Sequence, residues 1–225
     1  MTNKIKKQVS PISPAKIEWF QTNLFAWAKQ NLRDYPWRKT ENPYAILVAE
    51  FLLQRTDADT VLPIYETFLT QYPTLCQLER TPTKDIATIL KPLGLFFRAE
   101  RLCQTAQIIT EEYSGEIPSS ETELLKLPGI GKYTARAICS QAFKQPAVVL
   151  DTNVARIIER FFKIEGERVK SRCKILWQAA EDIAPQTAVG LWNLILLDFG
   201  AIVCTARKPK CSSCPLCDRC SSSNL

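Results

Sequence analysis

Apolar residues recur at helical spacing along almost the whole chain. Residues 61–69 and 154–161, for example, place apolar side chains at positions i, i+3, i+4 and i+7, which is the pattern of an amphipathic helix. Residues 44–53 form a nearly unbroken apolar run that is too long for most strands. No segment alternates convincingly between apolar and polar residues, as a half-buried strand would. The sequence therefore predicts an all-α fold with about ten helices of average length.

Composition and charge are those of a soluble globular protein. The 225 residues suffice for one large domain or two smaller ones, and 46% of them are hydrophobic. No apolar run approaches the length of a membrane span. Residues 1–14 are polar, carry three lysines and lack the apolar core of a signal peptide; we expect a flexible basic arm, a cytoplasmic location and no membrane contact. The net charge of +6 favours a polyanionic partner.

Five of the nine cysteines lie close together near the end of the sequence. Four follow the spacing Cys204-x6-Cys211-x2-Cys214-x5-Cys220, which leaves Cys217 over. In a chain without an export signal, such clustering favours metal binding over disulfides. A zinc ribbon needs a longer loop between its two cysteine pairs, and the bacterial ferredoxin pattern ends on a different gap. The four thiolates suit one tetrahedral metal or a cubane cluster.

Residues 127–134 join two predicted helices through a turn with two glycines. Gly129 and Gly131 permit positive φ angles and a close approach of a partner to the backbone. The amides at the start of the second helix, with Lys132 beside them, would then form an anion site. An ordinary helix–turn–helix connection is the alternative. The order Pro-Gly-apolar-Gly-Lys favours phosphate binding.

Two carboxylates stand out because the chain has no histidine for acid–base chemistry. Asp151 precedes a predicted helix over 152–162, where Asp is a preferred N-cap. The helix N-terminus also favours an ionised carboxylate, which can stabilise positive charge in a reacting substrate. Glu50 is the only charge in residues 44–54. It lies either on a buried apolar face, where its pKa would rise and suit it to proton donation, or on a face turned to water.

These motifs, in this order, resemble those of the endonuclease III/MutY superfamily of DNA glycosylases. The resemblance runs from about Tyr35 to Cys220. It implies a six-helix barrel domain with a helix-hairpin-helix over residues 36–150. A second domain, residues 15–35 plus 151–225, would hold a [4Fe–4S] cluster, and DNA would bind in the cleft between the two. We accordingly expect a nucleoid-associated, monomeric base-excision repair enzyme that binds double-stranded DNA with a mispaired or damaged base.

The resemblance also implies roles for individual residues. Asp151 matches the family's catalytic aspartate, which stabilises the oxocarbenium-like sugar when the base departs. Tyr133 stands where bifunctional members carry a lysine; because a phenol cannot form a Schiff base, we expect a monofunctional enzyme. Tyr133 and Glu50 are expected to line the base pocket. Gln54 and Leu95 are expected to enter the base stack as wedges once the base has flipped out.

The remaining implied roles concern DNA contact and the cluster. Further DNA contacts are expected from Gly129, Gly131, Lys132, Asn153, Arg207, Lys208 and Lys210. The expected cluster ligands are Cys204, Cys211, Cys214 and Cys220. The cluster itself is expected to be structural and to position the basic loop of residues 207–210.

Two branches of the superfamily compete. Gly-Lys-Tyr-Thr at 131–134 and residues 34–38 resemble Mig-type thymine-DNA glycosylases, which remove thymine or uracil opposite guanine. Glu50, Gln54 and the short turn at 94–97 resemble MutY-type adenine glycosylases. These usually carry a further C-terminal domain that reads 8-oxoguanine, whereas this chain ends five residues after Cys220. We therefore expect thymine and uracil excision, with a MutY-like adenine glycosylase as the main alternative. A bifunctional lyase and a non-catalytic DNA-binding module rank lower.

Overall fold

The computed structural model describes residues 12–94 and 97–223, and every regular element in these ranges is helical. The eleven α-helices are α1 (Pro14–Asn31), α2 (Pro43–Leu52), α3 (Ala58–Gln71), α4 (Leu75–Arg80), α5 (Thr83–Leu90), α6 (Phe97–Glu112), α7 (Glu121–Leu124), α8 (Lys132–Ala142), α9 (Thr152–Phe162), α10 (Lys174–Asp182) and α11 (Val189–Ile202). Short 3₁₀ turns include Cys211–Ser213 and Cys217–Arg219. The all-α prediction is confirmed. Among the described helices, none combines the length and apolar character that crossing a membrane requires.

The described chain divides into two compact units. The central unit is Asp34–Ala147, and the terminal unit combines the described residues up to Arg33 with those from Val148 onward. The domain boundaries predicted from the sequence, at 35/36 and 150/151, differ from these by two or three residues. Most of the predicted basic arm, residues 1–11, lies outside the described residues.

The central unit is built around α2. Every residue of α2 from Tyr44 to Leu52 is buried, because its almost uniformly apolar sequence packs against α3, α6 and α8 on different sides. The helix begins sharply: Asn42 caps it by accepting hydrogen bonds from the Tyr44 and Ala45 amides, at 2.9 and 3.4 Å, and Pro43 occupies the first turn.

The core of the terminal unit joins α1 to α9 and α11. The Phe20 side chain is fully buried, and its ring centroid lies 4.7 Å from that of Phe161 and 5.7 Å from that of Trp192. Just beyond α1, the fully buried Asp198 of α11 accepts hydrogen bonds from Arg33, at 2.8 Å from the backbone nitrogen and 2.6 Å from Nε. A buried carboxylate needs such partners, so this pair fixes the end of α1 on α11.

Candidate functional site

The predicted site residues divide between the two units. Glu50, Gln54 and Tyr133 belong to the central unit, together with the turn between α7 and α8, which we call the glycine turn (residues 125–131). Asp151, the clustered cysteines and the basic loop of residues 207–210 belong to the terminal unit. Leu95 lies outside the described residues.

Glu50 is buried on α2, with 5% of its surface exposed. Of the two alternatives that the sequence left open, the buried face is therefore confirmed. One of the helices that pack against α2 is α8, and Tyr133 lies half-buried in the first turn of α8. The two predicted base-pocket residues thus belong to neighbouring helices.

The turn that follows α2 is held by an arginine from α6, a helix that is distant in sequence but packs against α2. Arg98 of α6 is fully buried. Its Nη1 donates to the carbonyl of Leu52 at 2.7 Å, and its Nη2 donates to the carbonyl of Gln54 and to Thr56 Oγ1, both at 2.6 Å. The Leu52 carbonyl is one of the backbone groups that the end of α2 leaves without a helical partner, and the other two acceptors belong to the turn that follows. Within this turn Arg55 takes a left-handed conformation, with φ 59°, which non-glycine residues rarely adopt.

The Gln54 side chain connects this turn to the glycine turn. Its Nε2 donates to the carbonyl of Gly129 at 3.0 Å. Gly129 has φ 81°, and a Cβ there would lie 3.0 Å from Phe51 Cε1, so both the backbone angle and the lack of space require glycine. The expected positive φ is wrong for Gly131, which has φ −99° because it serves as the N-cap of α8. The Gly131 backbone is nevertheless open to solvent, with nothing within 4 Å of the position of a Cβ.

Asp151 is the N-cap of α9, as predicted. Its Oδ1 accepts hydrogen bonds from the Asn153 and Val154 amides at 2.8 and 2.7 Å, and its Oδ2 accepts one from Asn153 Nδ2 at 2.8 Å. Burial raises the pKa of the Asp151 carboxyl above its ordinary value, and these hydrogen bonds only partly oppose the shift. The helix N-terminus thus favours the ionised carboxylate, as expected, while desolvation acts in the opposite direction and sets the net direction of the pKa shift.

Asn153 is engaged within the protein as well. Its Oδ1 accepts a hydrogen bond from Arg156 Nη2 at 2.8 Å, and Arg156 in turn donates to the carbonyls of Gly200 and Cys204, each at 2.7 Å. A hydrogen-bonded chain thus runs from Asp151 to the backbone of the first clustered cysteine. Helical periodicity could not predict these roles for Arg156 and Arg98, because the backbone carbonyls of Cys204 and Leu52 that accept from them lie more than 40 residues away.

All five clustered cysteines line one cavity of about 270 Å³ in the terminal unit. The predicted ligands come together there, and Cys217 joins them. Arg160 also lines the cavity, and it donates to the carbonyls of Thr205 and Ala206 at 2.8 and 2.9 Å. Within residues 12–94 and 97–223, no three Cys, Asp or Glu side chains are grouped as ligands for a single metal ion. The adjoining Arg207, Lys208 and Lys210 are exposed.

Comparison with known proteins agrees with the fold and with the sequence motifs. The chain is 38% identical to a thymine/uracil-DNA glycosylase of Methanothermobacter thermautotrophicus, over 90% of this chain and 92% of the relative. It is 35% identical to an adenine DNA glycosylase of Buchnera aphidicola over 91% of this chain, but spans only 58% of that relative. A solved structure of a thermostable thymine-DNA glycosylase, 38% identical, matches with a TM-score of 0.88 over 93% of this chain and 97% of that one.

A family sequence model that matches the middle of the chain also supports the family assignment. Residues 48–182, which include the second half of α2, the glycine turn and Asp151, match the sequence pattern of one family of repair proteins. The superfamily expected from the motifs is thereby confirmed. The chain belongs to the HhH-GPD superfamily of base excision DNA repair proteins.

Proposed function

We propose that this protein is a monofunctional DNA glycosylase that hydrolyses the N-glycosidic bond of thymine or uracil mispaired with guanine. The observation that carries the proposal is Tyr133, which follows the glycine turn in the first turn of α8. A bifunctional lyase needs an amine nucleophile at position 133, and the phenol of tyrosine cannot form the Schiff base that such an amine forms. The names of the relatives that align over nearly their whole length support the choice of thymine and uracil.

Asp151 carries the chemistry in this proposal. The N-glycosidic bond breaks with its electron pair moving to the base, and the sugar becomes cationic. The Asp151 carboxylate stabilises that charge and accepts a proton from the water that adds to the sugar carbon, while the released base takes up a proton. The raised pKa of Asp151 supports this second task, because a carboxylate with a higher pKa is a stronger base.

Glu50 and Tyr133 bind the base. The Glu50 carboxylate accepts the N3–H of thymine or uracil, and the Tyr133 ring offers an aromatic face. A pyrimidine mispaired with guanine also costs less to unstack than a matched base, which supplies part of the selectivity. In the alternative function, that of an adenine glycosylase, Glu50 protonates the purine instead; Gln54 and the second relative favour this alternative.

Double-stranded DNA is held through its phosphates. The open Gly131 backbone, the exposed Lys132 and the N-terminus of α8 suit an anion. In the terminal unit, the exposed residues Arg207, Lys208 and Lys210 suit a second stretch of backbone. The protein acts as a monomer.

A [4Fe–4S] cluster completes the terminal unit. The cavity fits the group: it has room for more than a single ion, Cys204, Cys211, Cys214 and Cys220 surround it, and the Arg160 guanidinium lies beside the thiolates. When bound, the cluster supplies cross-links among these four cysteines and no step of the reaction. Its effect is to fix the chain that carries the basic loop.

The substrate is tested with duplexes containing G·T, G·U or A·8-oxoguanine, each scored for strand breaks before and after alkali. We expect thymine and uracil to be released from the first two duplexes, and breaks to appear only after alkali. Release of adenine from A·8-oxoguanine, without activity on G·T or G·U, would move the protein to the adenine branch. Breaks without alkali would contradict the monofunctional assignment.

A further inference from the structure

Arg101 of α6 lies against the glycine turn. A Cβ at Gly129 would be 3.1 Å from Arg101 Cδ and 3.4 Å from Arg101 Cβ. The aliphatic stem of Arg101 therefore packs directly on the backbone of the turn, and this is a second reason why residue 129 is glycine. The contact places a long cationic side chain at the edge of the turn.

The guanidinium of Arg101 is held in place by an exposed aromatic ring. The Arg101 Cζ lies 4.8 Å from the centroid of the Phe97 ring, one helical turn earlier on α6. Phe97 is one of the few large apolar residues on the surface, with 40% of it exposed. A cation–π contact of this kind fixes an arginine that would otherwise sample many rotamers.

Arg101 is exposed, and among the ion pairs between described residues none includes it. The turn that its stem contacts leads along the chain into the open Gly131 backbone and the exposed Lys132. A positioned guanidinium without a carboxylate partner, on the surface against the glycine turn, has the chemistry of a phosphate site, because guanidinium recognises phosphate in a fixed planar geometry.

We propose that Arg101, positioned by Phe97, binds a phosphate of the DNA backbone at the edge of the glycine turn. The proposal rests on DNA being the partner of the proposed function, and it adds a cation from α6 to the contacts of α8. Because the arginine is positioned before DNA arrives, little side-chain entropy is lost on binding. The contact reads no base and contributes equally to matched and mismatched duplexes.

The test measures binding to an unmodified duplex by fluorescence anisotropy at several KCl concentrations. The binding constant K falls as the KCl concentration rises, and removing one phosphate contact makes the negative slope of log K against log [KCl] shallower by about 0.9. We expect Arg101→Gln to show this reduced slope and about 5-fold weaker binding at low salt. Phe97→Leu should keep the slope, because the charge remains, and weaken binding about 2- to 5-fold. Both residues are exposed, so the variants should fold, and thermal unfolding checks this.

The matched control is Arg80→Gln, which removes the same charge from an exposed arginine at the end of α4. It should leave the slope unchanged. If Arg101→Gln and Arg80→Gln behave alike, the inference is wrong, since Arg101 then adds only to the overall charge. Excision plays no part in this measurement. A reduced slope supports the inference even if G·T and G·U are not substrates, and an unchanged slope in an active enzyme contradicts the inference alone.

Discussion

The position of Asp151 has two opposing effects on its carboxyl group. As the N-cap of α9 it must accept hydrogen bonds, and it does so with both oxygens. As a carboxylate in a poorly solvated place it is costly to ionise, and its raised pKa expresses that cost. A neutral Asn would also cap the helix and would avoid this cost of desolvation, so we interpret the carboxylate as a feature that stability does not require and that the proposed chemistry does.

Asp151→Asn should abolish base release and at the same time stabilise the protein at neutral pH. Asparagine keeps the cap, because it can accept the same backbone hydrogen bonds, but it carries no charge to stabilise a cationic sugar. We expect excision to fall by at least about 100-fold, with DNA affinity nearly unchanged. Single-turnover assays and binding on the same duplex measure the two effects.

The pH dependence of this variant's stability follows from the raised pKa. The neutral Asp151 carboxyl is favoured in the folded protein, so its contribution to stability is present below the unfolded-state pKa and is lost as the pH rises through the folded-state pKa. Asparagine does not titrate. We therefore expect Asp151→Asn to have a higher Tm than the natural protein, and the difference in Tm to be larger at about pH 7 than at about pH 4. A variant less stable than the natural protein at pH 7 would contradict the direction of the shift.

At the scale of elements, the helices and the glycine turn were predictable, whereas the turn after α2 was not. The apolar run at 44–53 predicted α2 to within one residue at each end, and the helix predicted over 152–162 is α9. The turn after α2 had no local signal, because Arg55 is a residue that rarely takes positive φ and Arg98 reaches it from 42 to 46 residues away. Long-range hydrogen bonds of this kind depend on the assembled unit and leave no periodic trace in the sequence.

Arg98→Lys should impair excision more than its effect on stability explains. One ammonium cannot reach all three acceptors of the guanidinium, so the turn that carries Gln54 should loosen. We expect the free energy of unfolding to fall by about 1–3 kcal/mol and kcat/KM to fall by about 10-fold or more. Denaturant unfolding and steady-state kinetics on the preferred mismatch provide the two numbers.

Tyr44→Phe is the matched control for Arg98→Lys. It removes a hydrogen bond of 2.7 Å from Tyr44 Oη to the carbonyl of Tyr72, at the opposite end of α2. This variant should lose about 1 kcal/mol of stability and retain its kcat/KM. If the two variants lose excision in proportion to their loss of stability, Arg98 has no role beyond the core of the central unit.

At the scale of the whole molecule, the sequence predicted the discontinuous terminal unit only through family resemblance. Helical periodicity cannot predict that the residues up to Arg33 form one unit with the residues from Val148 onward. The contacts responsible are tertiary: Lys16 Nζ donates to the carbonyl of Phe161 at 3.0 Å and to Ser221 Oγ at 3.1 Å. The segment that follows Cys220 therefore contacts α1 and α9 at once, so a cluster held by the cysteines, as proposed, would affect the stability of the unit.

The natural protein, purified without oxygen, should contain about four irons and absorb broadly near 400 nm. Removing the iron should destabilise the terminal unit selectively. We expect hydrogen exchange to accelerate in α1 and α9–α11, because the loop that binds both segments loses its cross-links, while α2–α8 keep their protection. Hydrogen-exchange mass spectrometry before and after chelation measures both units in one experiment.

The cysteine variants separate the ligands from the additional thiol. Cys204→Ser should lose iron and reproduce the exchange pattern of the chelated protein. Cys217→Ser, which alters the same cavity but not the four-cysteine spacing, should keep its iron and its protection. Stoichiometric zinc in place of iron would contradict the cluster. An equal loss of protection in α2–α8 would show that the cross-links stabilise the whole chain and not the terminal unit, because cooperativity would then extend across both cores.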